Sequence, residues 1–328
     1  MTSDDPALAV REAAARRLAA LDPLLAATGP PHPGCGERFV ANGRDGQPAA
    51  VAACDHWQAE PGSLDSTWGA SRRLRLSTWL TGRDARDELD ELLSGWARHL
   101  AAVPGADDED SAAILTWPSR DIEGVRVLQR HGLQPMAVIA ARPRPAPGRE
   151  PDGGPGHGAG PGPTGGVTVR RADPADIDEV VALGMALIDY DAHFGGVKER
   201  PHTASALRRY SAAQLAEPEP WTWLAVRDGA AVGMLHAERP EAAGWIAPLS
   251  ARSPVAYLTE LYVLAGERGN GIGGALAQHM HQAADEAGVA VTLLHYSQVN
   301  PVSLPFWSQQ GYRPLYTSWE TWPAASLR

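Results

Sequence analysis

The chain of 328 residues is long enough for two domains, each burying a core of its own. A formal net charge of −10 without a long basic run argues against a nucleic-acid partner and suits a small or basic substrate. Two cysteines, Cys35 and Cys54, make neither a disulfide framework nor a zinc-ligand cluster, so no metal is expected.

The chain opens on MTSDDPALAVREAAARRLAALDPLLAA, an amphipathic helix pattern with charges throughout. It lacks the apolar centre of a signal peptide, and no later stretch approaches the ~18 apolar residues of a membrane span. A cytoplasmic protein with no membrane partner is the expectation. AAVAACDHW (49–57) reads as a strand, DARDELDELLSGWARHL (84–100) as a helix, and SRDIEGVRVLQRHGLQP (119–135) as a helix closed by glycine. Residues 143–166, PRPAPGREPDGGPGHGAGPGPTGG, offer almost nothing to bury and read as a solvated linker. The linker sets apart two domains, 1–142 and 167–328. With so little side chain to pack, the second is expected to fold alone.

The second half alternates strands and helices. VTVRRA (167–172) is strand-like; Asp173 and Pro174 then cap and open a helix. TASALRRYSAAQLA gives a second helix, and a hairpin turns at Asp228-Gly229. Strand AYLTELYVL, a glycine turn, helix ALAQHMHQAADEAG, strand VAVTLLHYS, helix NPVSLPFWSQQG and strand YRPLYTSWE complete a mixed α/β sheet flanked by helices. The end of the first half aligns with VNPVSLPFWSQQGYRP (299–314). Gly132 falls on Gly311, Pro135 on Pro314, Leu128 on Trp307 and Asp121 on Asn300. An internal repeat follows.

The most informative stretch is Leu261-Tyr262-Val263, then Arg268-Gly269-Asn270-Gly271-Ile272-Gly273-Gly274 opening a helix. Glycines let backbone N–H groups approach an anion, and the helix N-terminus adds its dipole. Gly269-x-Gly271-x-x-Gly274 also fits a dinucleotide fingerprint. That fold requires the glycines directly after the strand, but residues 265–268 intervene. The next strand ends in His295-Tyr296 instead of an acid, and too little chain remains.

Arg268, Gly271 and Gly273 fill the (Arg/Gln)-x-x-Gly-x-(Gly/Ala) motif, with Asn300, Phe306-Trp307 and Gly311-Tyr312 following in order. In these residues the second half resembles the GNAT superfamily of N-acetyltransferases. The resemblance implies two GNAT-like domains in tandem. Acetyl-CoA would be the co-substrate, and an amine would attack its thioester directly in a ternary complex. Residues 268–274 would hold the pyrophosphate, and Asn300, Ser303 and Trp307 would line the pantetheine side. A backbone N–H near Leu261 or Val263 would stabilise the oxyanion, with Tyr262 between them. Many family members carry a tyrosine at the place of Trp307 to protonate the leaving thiolate. An indole cannot do so. Tyr296, Tyr312, a water or an unprotonated thiolate are the alternatives.

Glu260 lies on the central strand where acidic residues occur in polyamine-type relatives, and is the candidate base. His295 is a candidate proton relay. Asp189, Asp191 and His193, in a loop at the expected substrate wall, and His236 on the hairpin are candidate acceptor contacts. In the first half LTGRDARDEL stands where the cradle belongs, and Asp84, Asp87 and Glu88 would repel a pyrophosphate. It resembles a degenerate copy, expected to pack against or shape the active cleft. The expected activity is acetyl transfer to a primary amine of a small molecule, by a monomer or homodimer. A non-catalytic acyl-CoA-binding sensor or scaffold is the alternative.

Overall fold

A computed structural model describes residues 6–26, 36–145 and 166–328. Helix α1 (Pro6–Leu21) precedes strands β1 (Glu37–Asn42), β2 (Pro48–Gln58) and β3 (Arg72–Leu80). Helix α2 (Ala85–Leu100), β4 (Ser111–Pro118), α3 (Ile122–Arg130) and β5 (Gln134–Pro143) complete the first half. The second half runs β6 (Thr168–Arg171), α4 (Ile177–Ala192), α5 (Thr203–Leu215), β7 (Thr222–Arg227), β8 (Ala230–Glu238) and β9 (Val255–Val263). It ends with α6 (Ile272–Glu286), β10 (Val291–Ser297), α7 (Ser303–Gln309) and β11 (Arg313–Thr321).

Local chemistry sets these elements. Asp173 and Asp176 form a reciprocal capping box ahead of α4, with Pro174 at its start. Asp228 and Gly229 both have positive φ, 51° and 82°, and make the two-residue turn joining β7 to β8. In α2, Leu89, Leu92, Leu93, Trp96 and Leu100 recur at helical spacing and are all buried. Gly132 and Gly311, aligned in sequence, share a left-handed φ of 85° and 84°.

Among the described residues, all strands join one eleven-stranded sheet in the order β1-β2-β3-β4-β11-β5-β10-β9-β8-β7-β6. The order is nearly palindromic, and its parallel pairs, β3/β4 and β9/β10, hold equivalent places in the two halves. The centre carries an exchange. β5, the last strand of the first half, pairs with β10 from Ala137↔Ser297 to Pro143↔Val291. β11, the last strand of the second half, pairs with β4 and β5. Each half is therefore closed by a strand of the other. Helices α2 and α3 pack with β3 and β4 in one cluster, while α6 and the α7 aromatics pack with β8, β9 and β10 in a second. Alternate residues of β9, β10 and β5 turn to a further cluster with Leu24 and Leu25, just past the end of α1.

Candidate active site

Strands β9 and β10 stay paired only from Val255↔Val291 to Leu258↔Leu294, although both run on to Val263 and Ser297. Where they part, a cleft of about 1910 Å³ opens, flanked by the first turns of α6 and α7. Gly269 and Gly271 adopt left-handed φ of 83° and 76°, and α6 begins directly after Gly271. A side chain at Gly271 would be strained whatever space surrounds it. Gly273 is needed for closeness: a Cβ there would lie 3.3 Å from the Phe306 ring. The exposed N–H groups of the loop and the first turn of α6 form an anion cradle.

The cleft lining takes in Leu261, Tyr262, Val263, Arg268, Gly269, Gly271, Ile272, Gly273 and Gly274 on one side. Asn300, Ser303 and Trp307 line the other. Asn270 is the exception: it is not in the lining, and its amide turns back to donate to the Glu267 carbonyl at 3.3 Å. Arg268 donates to the Val263 carbonyl at 3.0 Å and stacks over Tyr190 at 4.5 Å, fastening the loop to strand and helix. Asn300 is buried and accepts from the Val302 N–H at 3.1 Å, shaping the turn into α7.

Glu260 projects into this cleft, 5% exposed, and its Oε1 has no hydrogen-bond partner among the described residues. Burial, and then the charge of Asp191, push its carboxyl up to about 7. Asp191 lines the same cleft and is raised by burial to about 6. His295 lines it too; its Nδ1 shares a hydrogen bond of 3.1 Å with the Tyr257 hydroxyl, and dense surroundings lower its pKa. Tyr296, its neighbour, lines the cleft from the other face of the sheet, where Trp307 packs edge-on against Phe306 and Tyr312.

Other expected residues lie elsewhere. Tyr312 is buried off the lining, its hydroxyl 3.1 Å from His281 Nε2. His236 is buried between the Thr222 hydroxyl at 2.9 Å and the Tyr210 hydroxyl at 3.1 Å. It ties β7, β8 and α5 together beside Glu260, its cross-strand partner on β9, without reaching the cleft lining. Helix α4 continues to Ala192, so Asp189 and Asp191 are helical and not in a loop. That geometry turns Asp191 inward and leaves Asp189 exposed, its carbonyl 2.9 Å from His193 Nδ1. Neither Asp189 nor His193 reaches the lining.

Sequence reasoning missed Arg142 and Arg144, which β5 brings from the first half to the cleft wall. It also missed Tyr190, Arg252 and the recess where Trp245 packs on Tyr257 at 4.9 Å and stacks parallel to His295. Only the exchange of strands places the arginines, and no local pattern signals it. Trp245 stands in an irregular segment with no periodicity to read.

The equivalent cleft of the first half is filled by its own side chains. The Glu88 carboxylate accepts from the Thr81 hydroxyl at 2.9 Å, the Gly82 N–H at 3.1 Å and the Asp84 N–H at 3.2 Å. An internal anion thus takes the donors that a phosphate would need. Arg17 of α1 pairs with Asp121, the counterpart of Asn300, and its stem lies 2.5 Å from where a Cβ on Gly82 would sit. Trp117, the counterpart of Tyr296, packs so tightly that a Cβ on Gly124 would meet its ring at 2.5 Å.

Residues 178–312 match the family model of the Acetyltransferase (GNAT) family. No curated protein matches the chain. A GCN5-related N-acetyltransferase from Sphaerobacter thermophilus is similar over 88% of this chain and 81% of its own, with TM-score 0.52 and 16% identity. At that identity the likeness establishes the fold. An acetyltransferase from the GNAT family from Colwellia psychrerythraea covers 86% and 84% with TM-score 0.48 and 10% identity. A tandem GNAT protein from the clavulanic acid biosynthesis pathway covers 98% and 96% with TM-score 0.45 and 14% identity. No helix among the described residues is long and apolar enough to cross a membrane.

Proposed function

We propose that this chain, whose residues 178–312 match the Acetyltransferase (GNAT) family, transfers an acetyl group from acetyl-CoA to a primary amine of a small molecule. The cradle of Gly269 to Gly274 fits a pyrophosphate, because its N–H groups face a cleft without side-chain obstruction. Acetyl-CoA held there supplies a thioester carbonyl as acyl donor. A free amine arrives as an ammonium ion, whose ordinary pKa lies about three units above neutrality. Asp191 and Glu260 offer it two carboxyl groups on the cleft wall.

Glu260 accepts the proton that the amine must lose before its lone pair can attack. The observation carrying this reading is the unpartnered, buried Oε1 of Glu260 with its carboxyl raised to about 7. A base with that pKa is half ionised near neutrality and takes protons effectively there. The parted end of β9, near Leu261 and Val263, supplies an N–H donor for the oxygen that gains charge. The amine nitrogen forms the new bond to carbon as the carbon–sulfur bond breaks, and the thiolate leaves. Thiol release from acetyl-CoA over a panel of amines tests the reading. Amine-dependent release supports transfer; tight coenzyme A binding with no release for any amine supports a scaffold.

The thiolate's proton has two possible sources that substitution separates. Tyr296 lines the cleft, whereas Tyr312 is committed to His281. Tyr296→Phe is expected to lower turnover by roughly 10²-fold if the phenol delivers the proton, and by little if the thiolate leaves unprotonated. Tyr312→Phe and Trp307→Phe should each cost under about tenfold, through packing alone. Transfer rates of the three variants against pH, with one accepted amine, decide the matter. A loss beyond about 100-fold for Trp307→Phe at unchanged coenzyme A affinity would contradict its packing role.

A further inference from the structure

We infer that Cys54, His56 and His99 form a binding site for one divalent transition-metal ion of the zinc type, in the half of the molecule that does not hold the cleft. Cys54 and His56 are two apart on β2 and share one face of the sheet. His99 stands in the last turn of α2, the helix packed on that face. The three donor atoms lie within 4.8 Å of one another.

Geometry is the main support. His56 Nε2 and His99 Nε2 are 3.4 Å apart. Two imidazole nitrogens bound to a tetrahedral ion at ~2.0–2.1 Å must lie about 3.3–3.4 Å apart. The two rings are tilted 44° to each other with centroids 5.6 Å apart, and Phe39 braces His99 edge-on. Cys54 supplies the softer donor from the core side. The Trp96 indole N–H, one turn before His99, donates to its Sγ at 3.3 Å, as outer partners commonly do for ligating thiolates. A thiolate in this apolar cluster would be costly unless a cation neutralised it.

The two faces of the site differ. Cys54 is fully buried while His56 is exposed, so an ion can enter from solvent and keep a position for water. Two nitrogens and one sulfur select zinc-like ions over calcium or magnesium, which take oxygen ligands. The ion would tie the end of α2 to β2. The sequence alone argued against a zinc cluster because it holds two cysteines in all, Cys35 and Cys54. The fold instead recruits two histidines, one of them distant along the chain.

The test uses the full-length chain without a histidine tag, stripped by a chelator and kept reduced by a phosphine. Cobalt(II) and then zinc(II) are titrated in. The expected result is one equivalent of cobalt with intense visible bands of tetrahedral type and a sulfur-to-cobalt charge-transfer band, all bleached by zinc. His56→Gln and His99→Gln, both near the surface, should each weaken binding at least roughly tenfold. Cys54→Ser should remove the charge-transfer band. Absence of stoichiometric uptake, uptake surviving in the double histidine variant, or bands without a sulfur contribution would each overturn the proposal.

Discussion

Glu260→Gln is expected to cut turnover by about 10²–10⁴-fold while coenzyme A affinity stays nearly unchanged. The amide keeps the size of the side chain and removes its proton affinity. In the native protein the rate should rise with pH through about 7, because Glu260 must be ionised to accept the amine proton. The variant's residual rate should lack that limb. Stability gives an independent reading. The folded carboxyl titrates near 7 and the unfolded one near 4.5, so between these values the folded state holds more protons. Stability therefore falls as pH rises through that window, and the full penalty remains above it. Glu260→Gln removes an ionised, unpartnered group, and its Tm at pH 8 should exceed that of the native protein. A variant that is less active but no more stable at pH 8 would show that the carboxylate already has a partner in solution.

The second large effect concerns the two halves. The Pro/Gly segment suggests that residues 167–328 form an independent domain, but the exchanged strands alter that expectation. Without the first half, β10 loses its partner from Ala137 to Pro143, and β11 loses both β4 and β5. Val138 and Ile139 are buried on opposite faces of β5 and contribute roughly 1.5–3 kcal/mol each. Asp22, from the end of α1, also forms a bidentate pair with Arg313 of β11. Residues 198–209 of the second half add further ties, among them Arg200 to Asp110 at 2.8 Å and Thr203 to Thr67 at 2.9 Å. A protease site placed within the linker should yield two fragments that remain associated and active until denaturant parts them. The second half expressed alone should be insoluble or retain under about 1% of the activity, since exposed strand edges invite aggregation. A soluble fragment with full activity would show that β11 can return to β10 and close the half by itself.

Much of the site was legible because it is local. The glycine cradle, the helix after it, the Asp173 cap and the Asp228-Gly229 turn depend on neighbouring residues, and their chemistry is written in order along the chain. Glu260 was legible as a strand carboxylate, but its buried, unpartnered oxygen was not. The reach of α4 decided which acid enters the cleft: continuing the helix to Ala192 turns Asp191 inward and Asp189 outward. His236 was legible as a polar residue on a strand near the site, but its two hydroxyl partners, which come from other elements, were not. The acids at residues 84–88 signalled an eroded cradle, though not that one of them, Glu88, would occupy it. The exchange of β5 and β11 left no trace in pattern, because strand pairing between distant segments depends on edges and not on local propensity.

The most direct test of one working cleft is a calorimetric titration of the full chain with coenzyme A. One site per chain is expected, lost on Gly271→Val, where a β-branched residue cannot take the left-handed backbone. Glu88→Gln should leave that single site intact, since Arg17 and Trp117 still fill the cleft of the first half. Two equivalent sites, or binding that survives Gly271→Val, would contradict it.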